Sequence, residues 1–128
     1  MLATVPPLLL VAIGGATGAM LRYLFGMAAS QTFGIAFPWG TWGVNLLGGL
    51  AMGVLAGLLA RGSEHGEALR LLIGVGVLGG FTTFSAFSLE SFNMIVRGDA
   101  MLAFAYAMSS VAGSIVMLWA GVTLARQL

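Results

Sequence analysis

The 128-residue chain is 59% hydrophobic and 7% charged, with a mean hydropathy of +1.04. These figures exclude an ordinary water-soluble domain, which is about a quarter charged. With no cysteine, one histidine and a formal charge of +1, the chain has no disulfide framework, no thiolate chemistry and no basic footprint for nucleic acid.

Residues 1–20 lack a basic leader before their apolar run, so the first segment reads as a retained span and not a cleaved signal peptide. The length accommodates four spans of roughly 20 residues with short loops. The pattern therefore predicts an all-α membrane protein of one domain, residues 1–128, with four transmembrane helices. Four short helices enclose little, so a transporter built from them is expected to be a homo-oligomer.

The first span is predicted over about residues 7–29, opening on Pro6 and Pro7, where a missing N–H costs little. Gly14, Gly18, Arg22 and Gly26 recur every four residues and share one face. Small residues at that spacing allow close helix approach. Arg22 lies about 10 Å from the helix end at a rise of 1.5 Å per residue. A charge there is costly and marks a functional site unless it snorkels to the headgroups. Residues 30–38 read as a short uncharged turn.

The second span is predicted over about 39–60, with Trp39 and Trp42 as interfacial anchors. Thr41, Asn45, Gly49, Gly53 and Gly57 form a face of period four. The Asn45 amide fits two roles: a hydrogen bond across to a neighbouring helix, or an N–H offered to an anion. Residues 61–68 carry Arg61, Glu64, His65 and Glu67 and read as a solvated loop. The lone histidine there argues against a metal site.

The third span, about 68–96, contains the sequence Gly79-Gly80-Phe81-Thr82-Thr83-Phe84-Ser85-Ala86-Phe87-Ser88. Paired glycines and paired β-branched threonines make a poor helix interior. Threonine and serine also offer backbone groups alternative partners. The helix is expected to break near its middle. Broken backbone at membrane depth is tolerated only inside protein or along a watery cavity, and it commonly marks an ion or substrate site; a packing kink is the plainer alternative. Phe84, Phe87 and Glu90 follow at intervals of three. The fourth span, about 100–124, carries Tyr106, Ser110 and Ser114 every four residues, a polar line that serves either interhelical bonding or a track for something hydrated.

The motifs Gly14-Gly15-Ala16-Thr17-Gly18-Ala19 with Arg22-Tyr23, then Pro38-Trp39-Gly40-Thr41 with Val44-Asn45 and Gly48-Gly49, then Gly79 to Ser88, resemble the CrcB or Fluc family of fluoride channels. The resemblance spans the chain, and its third motif is highly specific. Ala86 stands where threonine is frequent in that family, at no proposed ligand. The resemblance implies an antiparallel, dual-topology homodimer in a bacterial-type inner membrane, with a fluoride pore on each side of a central structural sodium ion. It implies sodium ligation by the backbone carbonyls of Gly79 and Thr82 from both chains. It places Phe84 and Phe87 as pore phenylalanines, Asn45 as a pore amide, and Tyr106, Ser110 and Ser114 along the pore, with Ser110 the first candidate for direct anion contact. Thr41 would extend that track, Arg22 would either draw anions to a vestibule or brace the helix packing, and Glu90 would stand near the pore as a vestibule or gating residue. No catalytic residue and no organic cofactor is implied.

Two other readings compete. A small multidrug-type, proton-coupled exporter also uses four short spans, but it needs an acid deep in the first span, where this chain has Arg22 and no acid. A non-transporting assembly subunit would explain the glycine faces but not the polar line. Basic residues near span ends distribute as Arg61, Arg70 and Arg126 on one side, with Arg97, and Arg22 if it snorkels, on the other. That weak bias predicts insertion in both orientations.

Overall fold

A computed structural model describes residues 1–128, the side chain of Ala3 excepted. A 3-10 turn at Leu2–Thr4 precedes helix α1, Pro7–Phe33, and α2, Trp39–Leu59. The third apolar segment comprises α3, Gly66–Leu69, a π-helical stretch at Arg70–Leu78, α4, Gly79–Phe81, and α5, Phe84–Val96. Helix α6, Ala100–Gln127, completes the chain, and no strand occurs among the described residues. Four helices, Pro7–Phe33, Trp39–Leu59, Gly66–Val96 and Ala100–Gln127, are long and apolar enough to cross a membrane.

Two of these differ in extent from the sequence reading. Residues 30–33, read as turn, continue α1: the Ser30 and Thr32 hydroxyls donate to the carbonyls of Met27 and Ala28, 2.9 and 2.8 Å away. Polar residues stay helical by bonding back to the preceding turn. The helix stops at Gly34, whose φ of 80° suits glycine. Helix α6 likewise runs past residue 124 to Gln127. The π-helical winding of Arg70–Leu78 has no counterpart in the sequence reading, because periodicity does not distinguish π from α over nine residues.

The glycine faces organise the packing. Helix α1 lies along the π-helical stretch and α4, and α2 lies along α6. A Cβ on Gly14 or Gly18 would overlap the carbonyl oxygen of Leu72 or Val77, and one on Gly80 would sit 2.5 Å from the Gly15 carbonyl. On the other pair, a Cβ on Gly53 or Gly121 would overlap the carbonyl of Leu118 or Leu50. Backbone thus meets backbone at both crossings, the small-residue packing expected between helices in lipid. Helix α5 turns away from α1 and packs on α6. Met94, Ala103 and Tyr106 form a buried cluster there, surrounded by Phe37, Trp42, Phe87 and Leu102. Most other large apolar side chains face outward, Leu8 at 84% and Trp119 at 72% exposure among them.

Candidate functional site

The third segment bends where its sequence is least helical. Thr82 and Thr83 are both extended, with φ and ψ of −83° and 158°, then −152° and 124°. The Thr82 hydroxyl donates to the Leu78 carbonyl at 2.8 Å. Its methyl rests on Gly48, where any Cβ would overlap it. The Thr83 hydroxyl caps α5 by accepting from the Ala86 N–H at 3.2 Å. Local chemistry therefore ends one helix and starts the next within two residues.

Asn45 holds the bend from α2. Its Nδ2 donates to the Thr83 carbonyl at 3.0 Å, and its Oδ1 accepts from the Thr83 N–H at 2.9 Å. This reciprocal pair imitates one rung of a β-ladder. Of the two roles open to Asn45 in the sequence, the bond to a neighbouring segment is made, and it uses one of the two amide N–H groups. The second N–H has no partner among the described residues.

The bend redirects specific donors. In a continuous helix the Thr83 N–H would meet the Gly79 carbonyl, and the Ala86 N–H would meet Thr82. Asn45 takes the first and the Thr83 hydroxyl takes the second. Both carbonyls proposed as sodium ligands thereby lose their helical donors. The intervening Gly80 carbonyl also lacks its helical donor, and Arg22 Nε donates to it at 3.0 Å. Arg22 is thus a brace between α1 and the bend, and its side chain lines a separate cleft with Tyr23, Gly26 and Ser30.

Beside the bend lies a cleft of about 460 Å³, lined among others by Asn45, Gly79, Thr82, Phe87, Ser110 and Ser114. Thr83 and Phe84 also line it. Phe84 is 77% exposed and Phe87 partly buried, their ring centroids 5.5 Å apart. Ser114 donates to the Asn45 carbonyl at 3.3 Å, joining α6 to α2. Ser110 is 5% exposed, and its Oγ has no hydrogen-bond partner among the described residues. An orphaned buried hydroxyl costs about 1–3 kcal/mol, so a polar occupant of the cleft would relieve it.

The remaining residues form a second group. Glu90 Oε1 accepts from the Thr41 hydroxyl and Oε2 from the Tyr106 hydroxyl, both at 2.7 Å. Two short hydrogen bonds offset part of the cost of placing this acidic side chain among apolar helices. Tyr106 is fully buried, and its ring stacks on Phe87 at 5.1 Å and 15°. Phe87 therefore links this triad to the cleft. The sequence reading assigned no role to Thr83, although the paired threonines were the available sign. It quoted Gly48 only within the Gly48-Gly49 motif and did not foresee that the Thr82 methyl rests on it.

The motifs that build the bend and its clamp lie within one family profile. The model of the CrcB-like protein, Camphor Resistance (CrcB), matches residues 9–122. The chain belongs to the CrcB family. Among its CrcB relatives, a protein of Sphingopyxis alaskensis is 51% identical over 118 residues, covering 92% of this chain and 94% of its own. One from Phenylobacterium zucineum is 54% identical, covering 94% and 95%. A third, from Novosphingobium aromaticivorans, is 53% identical, covering 91% and 93%. All three carry the name fluoride-specific ion channel FluC.

Proposed function

We propose that this CrcB chain is a passive, fluoride-selective channel, multi-pass in a bacterial inner membrane, exporting fluoride down its electrochemical gradient. The observation that carries this reading is the cleft at the bend, where the buried Ser110 hydroxyl lacks a partner beside Asn45 and Phe87. The relatives' name supplies the ion.

The chemistry suits a small, strongly hydrated anion. Neutral hydrogen fluoride crosses lipid, ionises in a less acidic interior and is trapped as fluoride. A pore lets the anion leave when the interior is negative. Ser110 and the second Asn45 N–H offer donors. The positive ring edges of Phe84 and Phe87 would stabilise an anion without holding it tightly. Ser114 keeps α6 against α2 so that these donors face one space. Glu90, held by Thr41 and Tyr106, fixes the Phe87 ring by way of the Tyr106 stack, and repulsion argues against its direct contact with fluoride in an ionised form. The exporter reading is disfavoured because the first span has no acid and Glu90 lies late in the third segment.

The proposal extends to an antiparallel, dual-topology homodimer with two pores and a central structural sodium ion. No group of three His, Cys, Asp or Glu side chains suited to a metal occurs among the described residues. The carbonyls of Gly79 and Thr82, without their helical donors, fit a hard cation. Two chains would contribute four such oxygens. A bound sodium ion would supply a fixed positive charge between the two clefts. The outward exposure of Phe84 and the open space at Gly79 support a second chain against this face.

Purified protein in liposomes should release trapped fluoride and retain chloride under a potassium-diffusion potential. Proton flux driven by a cationic drug, without fluoride efflux, would replace the channel with an exporter. No flux of either kind would leave only an assembly role.

A further inference from the structure

The chain has five arginines and no lysine. Three of them have protein partners. Arg22 donates to the Gly80 carbonyl. Arg70 makes two bonds to Glu67 at 2.9 and 2.8 Å, and Arg97 lies 3.5 Å from Asp99. Arg61 and Arg126 have neither an ion pair nor a hydrogen-bond acceptor among the described residues. These two line one cleft of about 280 Å³, with Ala56, Gly57, Ala60 and Val122 as its other walls.

The placement is specific. Arg61 stands two residues past the end of α2, just after its C-cap Ala60, and Arg126 stands in the last turn of α6. The two helices pack side by side, so their C-terminal ends place both guanidinium groups at one edge of the apolar span. Neither side chain bonds to the free carbonyls at these helix ends, the partners closest to hand for a cation there. Two like charges at one cleft repel each other unless an anion lies between them. Among the described residues no acidic group pairs with either arginine, and the cleft's other walls are small and apolar.

We propose that this cleft binds the phosphodiester headgroup of an anionic phospholipid, with both arginines on the phosphate oxygens and the lipid's glycerol end against the small-residue walls. Guanidinium groups pair with phosphate through parallel N–H donors. Basic pockets between membrane helices at headgroup depth recognise anionic lipids in this way. The site is separate from the bend, and it requires only that α2 and α6 span a membrane.

Native mass spectrometry of the full chain, released from detergent carrying phosphatidylglycerol or phosphatidylcholine, tests this. The wild type should retain phosphatidylglycerol in preference to phosphatidylcholine. R61Q/R126Q should bind phosphatidylglycerol about 30-fold more weakly, at about fivefold per basic residue. R70Q and R97Q, whose arginines already have partners, should bind as the wild type does. R61K/R126K, with the charges kept, should retain a preference but bind less tightly because the fork geometry is lost. Equal retention of the two lipids by the wild type overturns the proposal without reference to any variant. Unchanged retention by R61Q/R126Q overturns it as well, and so does binding of inorganic phosphate without retention of lipid.

Discussion

Replacing Asn45 by leucine removes both bonds to Thr83 at once. It leaves the Thr83 N–H and carbonyl without the partners they have at 2.9 and 3.0 Å. Each stranded backbone group costs about 1–3 kcal/mol, so Asn45→Leu should destabilise the protein by about 2–6 kcal/mol. For a chain of this size the lower figure corresponds to a fall in melting temperature of roughly 6 °C. Thermal melting of detergent-solubilised protein at one scan rate would measure this, with hydrogen exchange at the Thr83 amide as a local probe. That amide should exchange faster in the variant, while amides of α2 and α6 stay protected. A melting temperature within about 1 °C of wild type, with the Thr83 amide still protected, would refute the clamp. Asn45→Asp is the more selective change. It keeps the acceptor for the Thr83 N–H but sets a carboxylate oxygen against the Thr83 carbonyl and beside the cleft, so fluoride efflux should be abolished. Normal efflux in Asn45→Asp would remove the amide from the anion path.

A Cβ on Gly79 meets only the Gly74 carbonyl oxygen, at 3.8 Å, so Gly79→Val should leave the protomer helical by circular dichroism yet shift size-exclusion profiles from dimer to monomer and stop fluoride flux. A valine that still dimerises and conducts would argue against the shared cation site, whereas Gly53→Val, which drives a side chain into the Leu118 carbonyl, should cost the fold itself and be lost on expression. Phe84→Ile and Phe87→Ile remove the ring edges and should each lower efflux by an order of magnitude or more; full flux in both sinks the aromatic mechanism. Because Arg22 is bonded inside the span, the basic count near span ends is Arg61, Arg70 and Arg126 against Arg97, and C-terminal reporter fusions should still register on both sides of the membrane. A signal from one side only would rule out the antiparallel dimer.

Much of the fold was legible because lipid imposes simple rules. Apolar runs must be helices, since only intrachain bonds satisfy their backbone. Glycines every four residues had to mark close crossings, and the overlap at Gly18 and Gly53 is the physical form of that pattern. The site was legible as an inventory more than as an arrangement. Thr41 and Tyr106 were singled out as points on a track and Glu90 for a vestibule or gate, each as a separate position. Their union through two 2.7 Å bonds joins α2, α5 and α6, and no single-helix periodicity records which partner lies across. Arg22 posed the same difficulty: spacing put it on a packed face, but only the position of the Gly80 carbonyl decides that it braces the bend.

What the sequence by itself determined is local: four apolar helices, their glycine faces, and a bend within the Gly79 to Ser88 stretch, which the extended backbone places at Thr82 and Thr83. These follow from residue type and from spacing along one element, which the chain carries wherever it folds. What only the tertiary structure decided is which hydrogen-bonding group meets which. Asn45 clamps Thr83, Ser114 ties α6 to α2, and Ser110, on the same face and four residues away, is left without a partner. The two serines are equivalent by sequence pattern. They differ because a hydrogen bond requires an acceptor near 3 Å, and the crossing of α2 with α6 brings one to Ser114 while Ser110 faces the cleft.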